Sequence, residues 1–280
     1  AARVSGVVAA LVTGDQRAID RADWDIFRAT GVAHLMSISG LHITMFAWGA
    51  AGLTGWVWRR SRRLCLALPA PSAALLGGLL LACAYSVLAG WGVPAQRTCL
   101  MLATVGLLRV SGARWPWPLV WMLACAAVVA LDPWALLQPG FWLSFVAVGV
   151  LFATDSGAAR ADSAWAGGRF GSKLWHLLRE QWVITCALAP LSLLLFGQLS
   201  VVGLVANLLA IPWVTLLLTP LALLGVLLPP AWAWAVQASD LLWWWLSLLA
   251  TWPWASFSWP LPPLGWGLLA VGGGVLCALP

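Results

Sequence analysis

Nine long apolar windows, separated by charged or Pro/Gly-rich breaks, dominate the chain. They run approximately over 41–58, 72–92, 95–110, 116–131, 139–154, 180–198, 201–228, 231–251 and 264–280. Each is continuously apolar rather than alternating, so the pattern predicts helices and not barrel strands. At about 1.5 Å per residue, such stretches cross a hydrocarbon core of roughly 30 Å. The predicted fold is all-α: a polytopic transmembrane helical bundle of about nine spans, within a range of 8–11. Two windows admit more than one reading. Residues 64–92 can hold a short re-entrant piece before a full span. Pro212 interrupts 201–228, which makes either one kinked helix or two half-helices.

Residues 1–30 read differently. Thr13-Gly14-Asp15-Gln16 has capping-box spacing, and Ala18, Ile19, Ala22, Ile26 and Ala29 then recur at helical intervals between charged residues. The expectation is an interfacial amphipathic helix on the outer membrane face, ending near Gly31, ahead of a membrane region over 31–280.

Charge orients the bundle. Only 9% of residues are charged against 62% hydrophobic, and mean hydropathy is +0.91, which excludes a water-soluble globular domain. If the first span ends inside at Arg59-Arg60-Ser61-Arg62-Arg63, alternation also puts Arg109, Arg114, Arg160, Arg169, Lys173 and Arg179 inside. That gathers ten of the fifteen basic residues on one side, as the positive-inside rule requires. Residues 1–30 and Asp132-Pro133 then lie outside. The net charge of +6 is accounted for by orientation and is not itself a nucleic-acid footprint. Trp56, Trp58, Trp91, Trp115, Trp117, Trp252 and Trp254 flank apolar runs, as interfacial aromatic belts do. Six cysteines stand singly in apolar segments, with neither zinc-ligand spacing nor a disulfide framework. There is no initiator Met and no signal-peptide pattern, and the last residues fall within an apolar run, so the chain reads as a piece of something larger.

Against this background the polar residues stand out, because an unsatisfied polar group in an apolar medium costs several kcal/mol. His34, Ser37, Ser39, Gly40 and His42 fall together at the mouth of the first span. Ser39 suits an N-cap, which puts His42 in the first helical turn, where free N–H groups and the helix dipole favour an anion. Both histidines could equally bond neighbouring carbonyls and serve structure alone. Arg97, in Pro94-Ala95-Gln96-Arg97, either snorkels to headgroups or offers its planar fork to phosphates along an interior path. Asn207 and Pro212 lie mid-run and suit a broken helix or a helix-to-helix hydrogen bond. Ser144 sits in Gly140-Phe141-Trp142-Leu143-Ser144-Phe145, and Asp132 is a helix stop able to pair with Arg97. No HExxH, Walker A or GxGxxG pattern occurs, and no cofactor or metal site is indicated.

The run Gly31-Val-Ala-His34-Leu-Met-Ser37-Ile-Ser39-Gly40-Leu-His42-Ile resembles the hallmark of the ComEC family, the bacterial competence proteins of DNA uptake. Pro94 to Arg97, Asp132-Pro133 with Gly140 to Phe145, Pro190 ahead of Phe196, and Asn207 to Pro212 follow in that family's order. One departure is Trp142, where the family usually carries Gln. The resemblance implies an inner-membrane channel that admits single-stranded DNA to the cytoplasm during natural transformation. It further implies partners among the competence machinery, besides the DNA and the lipid bilayer. The channel would lie within one chain or between copies in a homo-oligomer. The family's OB-like and metallo-β-lactamase-like domains are not in this sequence, so no catalytic residue is assigned and a nuclease activity would belong elsewhere. His34, Ser37, Ser39, Gly40, His42, Arg97, Ser144, Asn207 and Pro212 are the candidate DNA-path residues. Two other classes compete. An intramembrane serine hydrolase would use Ser39 and His42, one helical turn apart. A small-molecule or ion transporter would share the broken helices and buried polar groups.

Overall fold

The computed structural model describes residues 2–112, 115–154, 171–258, 263, 265, 267, 269–270 and 272–274. Arg114, Arg160, Arg169, Cys277 and much of the last apolar window lie outside the described residues. The described chain is all-α apart from one short ribbon. Its helices are α1 (Ala2–Thr13), α2 (Arg21–Ala29), α3 (Gly40–Trp58), α4 (Arg62–Ala67), α5 (Ala70–Leu88), α6 (Val93–Val110), α7 (Trp117–Leu131) and α8 (Pro139–Thr154). There follow α9 (Gly171–Phe196), α10 (Gly203–Trp213), α11 (Thr219–Leu227) and α12 (Pro230–Ala250). Helices stand where eight of the nine apolar windows predict them. By length and composition, two are long and apolar enough to cross a membrane: Ala70–Leu88 and the continuous run Gly203–Leu227.

Local chemistry accounts for many boundaries. Pro71, Pro94 and Pro118 sit in the first turns of α5, α6 and α7, where a missing N–H costs nothing. The stretch 64–92 resolves as the short helix α4, capped by Ser61, followed by the full helix α5. Pro212 does not divide its window. The helix runs through it and widens into a π-helical turn over Val214–Leu218 before α11. That wider turn stands directly ahead of Pro220, whose ring faces the carbonyl of Leu216 within it.

The amino-terminal expectation needs correcting. Thr13 ends α1 instead of opening a helix: its Oγ1 donates to the Ala9 carbonyl. The amphipathic helix starts later, at Arg21, after a turn in which Arg17 clasps Asp15 through Nε–Oδ1 (2.9 Å) and Nη2–Oδ2 (2.8 Å). That exposed guanidinium holds the Asp15 carboxyl down at about 2. At Gly14 the backbone takes φ +77, and a Cβ there would collide with the Ala89 carbonyl.

Two compact units are present. The first comprises residues 1–24, 33–133 and 212–243. In it α3 lies along α5, and both pack on α6, which pairs with α7. Ile43, Ala47, Ala82, Tyr85, Ala95 and Cys99 form the shared core. Backbones approach closely: a Cβ on Gly78 would stand 2.7 Å from the Ala47 carbonyl oxygen. Helix α1 packs against α11, and the Tyr85 hydroxyl donates to the Leu11 carbonyl at 3.0 Å. The second unit comprises 25–32, 134–211 and 244–280. Here α8 packs on α9 through Val150 and Ala187. Two strands not anticipated from the sequence, β1 (Gln198–Ser200) and β2 (Ser256–Ser258), pair antiparallel with Leu199 opposite Phe257. The Ser200 hydroxyl donates to the Ala29 carbonyl at 2.7 Å, tying β1 to the end of α2.

Candidate functional site

Ser39 adopts extended backbone angles (φ −102, ψ 164) and caps α3, as its position predicted. The cap is reciprocal. The His42 N–H donates to Ser39 Oγ and the Ser39 N–H donates to His42 Nδ1, both at 3.4 Å. This is a capping box in which an imidazole stands where Glu or Gln usually does. Accepting at Nδ1 places the ring proton of the neutral imidazole on Nε2. That atom is buried and has no hydrogen-bond partner, and the residue is 0% exposed. The pair is thus spent on backbone amides, which is not the hydroxyl-to-imidazole geometry of a serine nucleophile and its base.

The neighbouring candidates divide. Ser37 and Gly40 are half-buried, whereas His34 is exposed in the 3-10 turn Ala33–Leu35, within electrostatic reach of His42. Gly40 packs on α6: a Cβ there would lie 2.7 Å from Thr98 Oγ1, which itself donates to the Pro94 carbonyl at 2.9 Å. The start of α3 therefore abuts the residue beside Arg97.

Arg97 is 6% exposed, so it does not snorkel into solvent, and its Nε and Nη1 atoms are buried without a hydrogen-bond partner. Asp132, the C-cap of α7, acts on it electrostatically. Sequence reasoning missed other buried polar groups of this unit. Thr215 and Thr219 present buried hydroxyls without partners, and Ser86 Oγ lies 3.2 Å from Cys99 Sγ. Two threonines four residues apart in an apolar run were the available signal.

The remaining candidates are less uniform. Pro212, in the first unit, is exposed. Ser144 and Asn207 belong to the second unit; both are half-buried, and Asn207 Oδ1 lacks a partner. Beside Ser144, Phe141 packs on Phe145 with centroids 4.6 Å apart. Trp142 points outward and donates to the Leu136 carbonyl at 2.8 Å, a use of its indole that needs no interior role. Among the described residues, no group of three His, Cys, Asp or Glu is placed to hold a metal ion. The site can offer neutral and cationic hydrogen-bond donors in a dry setting, where such bonds to an anion are strongest.

Comparison with known proteins shows the family. The profile of the family described as "Competence protein" matches residues 11–280. "Uncharacterized protein YcaI" of Escherichia coli is 33% identical over 273 residues, covering 91% of this chain and 35% of that protein. "Competence protein ComA" of Neisseria gonorrhoeae is 38% identical over 226 residues, covering 80% of this chain and 30% of its own length. "Recombination protein 2" of Haemophilus influenzae is 31% identical over 228 residues, 80% of this chain and 28% of that protein. The chain spans about a third of the length of these curated relatives. No solved structure matches it.

Proposed function

Because the chain belongs to the competence protein family, we propose that it is the membrane domain of a DNA-uptake channel, one that passes single-stranded DNA into the cytoplasm during natural transformation. In this reading residues 31–280 cross the bacterial inner membrane about nine times and residues 1–30 lie on its periplasmic side. The competence machinery delivers the strand, and the channel lies within one chain or between copies. No residue of this piece performs chemistry.

One observation carries the proposal: donors held in an apolar interior without hydrogen-bond partners, His42 Nε2 and Arg97 Nε and Nη1. A polyanion crossing a bilayer needs favourable contacts that are few and weak enough to release it. One imidazole, one guanidinium and a helix start meet that need better than a dense basic cluster would. The outer faces supply the complementary support, since Trp48, Leu80, Leu88, Leu107 and Leu216 all point outward, the inverse of a soluble protein. The names of the gonococcal and Haemophilus relatives support the coarser part, a role in competence.

The test is transformation frequency with His42→Ala, Arg97→Gln and both together, in cells where membrane insertion of the full-length protein is verified. The reading expects large losses for each, with uptake of duplex DNA to the cell surface intact. Unchanged transformation in the inserted double variant would overturn it.

A further inference from the structure

We infer that Asp132 is the resident counter-ion of Arg97 and that a phosphodiester oxygen exchanges with it when DNA engages this end of α6. The inference rests on the DNA-channel reading above. Helices α6 and α7 are consecutive, packed together and joined by the short connection 111–116. Arg97 precedes the end of α6 by about 20 Å of helix, and Asp132 follows the start of α7 by about 22 Å, at 1.5 Å per residue. The two residues therefore stand level across an antiparallel hairpin.

Each has a physical reason to need the other. Arg97 is buried and keeps its charge at any physiological pH, so it cannot escape the cost of burial by losing a proton. Asp132 caps the carboxyl end of α7, where the helix dipole already presents negative charge and disfavours an acid. A helix stop requires no carboxylate; Pro133 alone prevents continuation. The acid is explained by the cation opposite it. Yet this pairing leaves Nε and Nη1 of Arg97 without hydrogen-bond partners. Asp132 thus balances the charge without filling the donors. An incoming phosphodiester oxygen does both, and charge-assisted bonds to it are the strong kind. When the strand leaves, Asp132 resumes the charge, so Arg97 is never stranded as a bare buried cation and does not hold the strand permanently.

The experiment measures binding of a short fluorescein-labelled oligodeoxythymidylate to the chain in phosphatidylcholine nanodiscs, at fixed salt, by anisotropy. Asp132→Asn and Asp132→Ser, which remove the competing charge, are expected to bind about fivefold to tenfold tighter than wild type. Asp132→Glu should stay near wild type. Arg97→Gln should bind more weakly, and adding Asp132→Asn to it should bring no gain. A pair with only a structural role would give lower melting temperatures without tighter binding. Unchanged or weaker binding by folded Asp132→Asn, beside a wild type that binds, overturns the counter-ion assignment and leaves the channel reading standing. A wild type that binds no oligonucleotide overturns both. Should the neutral variants fail to fold, the Arg97 side-chain Nε resonance of the wild type, identified by its loss in Arg97→Lys, provides the readout. It should shift on adding oligonucleotide, and a resonance that does not move overturns the exchange.

Discussion

Ser39 and His42 cap one another across the first turn of α3, each accepting the other's backbone N–H at 3.4 Å. Their reciprocity gives His42 two separable duties. Nδ1 belongs to the helix start, while Nε2 is buried without a hydrogen-bond partner.

Substitution at this position separates those duties. His42→Gln should stay within about 1 kcal/mol of wild-type stability, because Gln at the third helical position forms the usual box and keeps a donor. His42→Ala should lose about 1–2 kcal/mol from the broken cap. His42→Glu keeps the cap and replaces the donor with an anion. Transformation frequency should therefore fall least with Gln and most with Glu. Equal frequencies in all three folded variants would confine His42 to structure.

Gly40 meets α6 at Thr98, so Gly40→Ala should destabilise by about 1–2 kcal/mol despite its better helix propensity. The obstructing atom is a side-chain hydroxyl, and Gly40→Ala with Thr98→Ala should recover much of the loss. Gly78→Ala admits no such rescue, because the obstruction is the Ala47 backbone carbonyl. Thermal unfolding in detergent, followed by circular dichroism, checks both.

Asp23 is 3% exposed and accepts a hydrogen bond from Trp243 Nε1 at 3.0 Å, joining α2 to α12 within the first unit. Trp243→Phe retains the aromatic bulk but removes the donor. It should cost about 1–3 kcal/mol, the usual range when a bond to a buried charged group is lost. A melting temperature equal to wild type would show that Asp23 is held by its other contacts.

Asp15 titrates unlike a free carboxyl, at about 2, because Arg17 grips its charged form. The sign follows from the depressed value: whatever this clasp contributes is fully present above the ordinary carboxylate range and is lost as pH falls toward 2. Carboxyl-resolved NMR should show Asp15 still ionised at pH 3, and Arg17→Ala should return it to the ordinary range. Both side chains face solvent, so the turn, not global stability, carries the effect.

Much of the architecture is legible in the sequence. Apolar windows bounded by Arg59 to Arg63, Pro94 and Pro118 mark helices because a run of Leu, Ala and Val must satisfy its backbone internally. Ser39 was legible as a cap for a local reason: a serine ahead of an apolar run bonds amides only three residues away. The turn at residues 14–20 misled, since Thr13 has the same local signature but ends α1, whose Ala10 and Leu11 are buried. Pro212 left one kinked helix or two half-helices open, and the run Gly203–Leu227 is continuous.

The chain alone thus determines where the long apolar helices run, that Ser39 caps one of them and which family the polar runs resemble, because these are encoded within a few neighbouring residues. Only the fold decides which way each polar side chain faces. When the surroundings on every side of a helix are apolar, the contrast that marks a buried face in a soluble protein disappears. Thr215 and Thr219 accordingly turn out buried while Pro212 is exposed. Arg97 and Asp132, thirty-five residues apart, come within electrostatic reach because the consecutive helices α6 and α7 pack on one another.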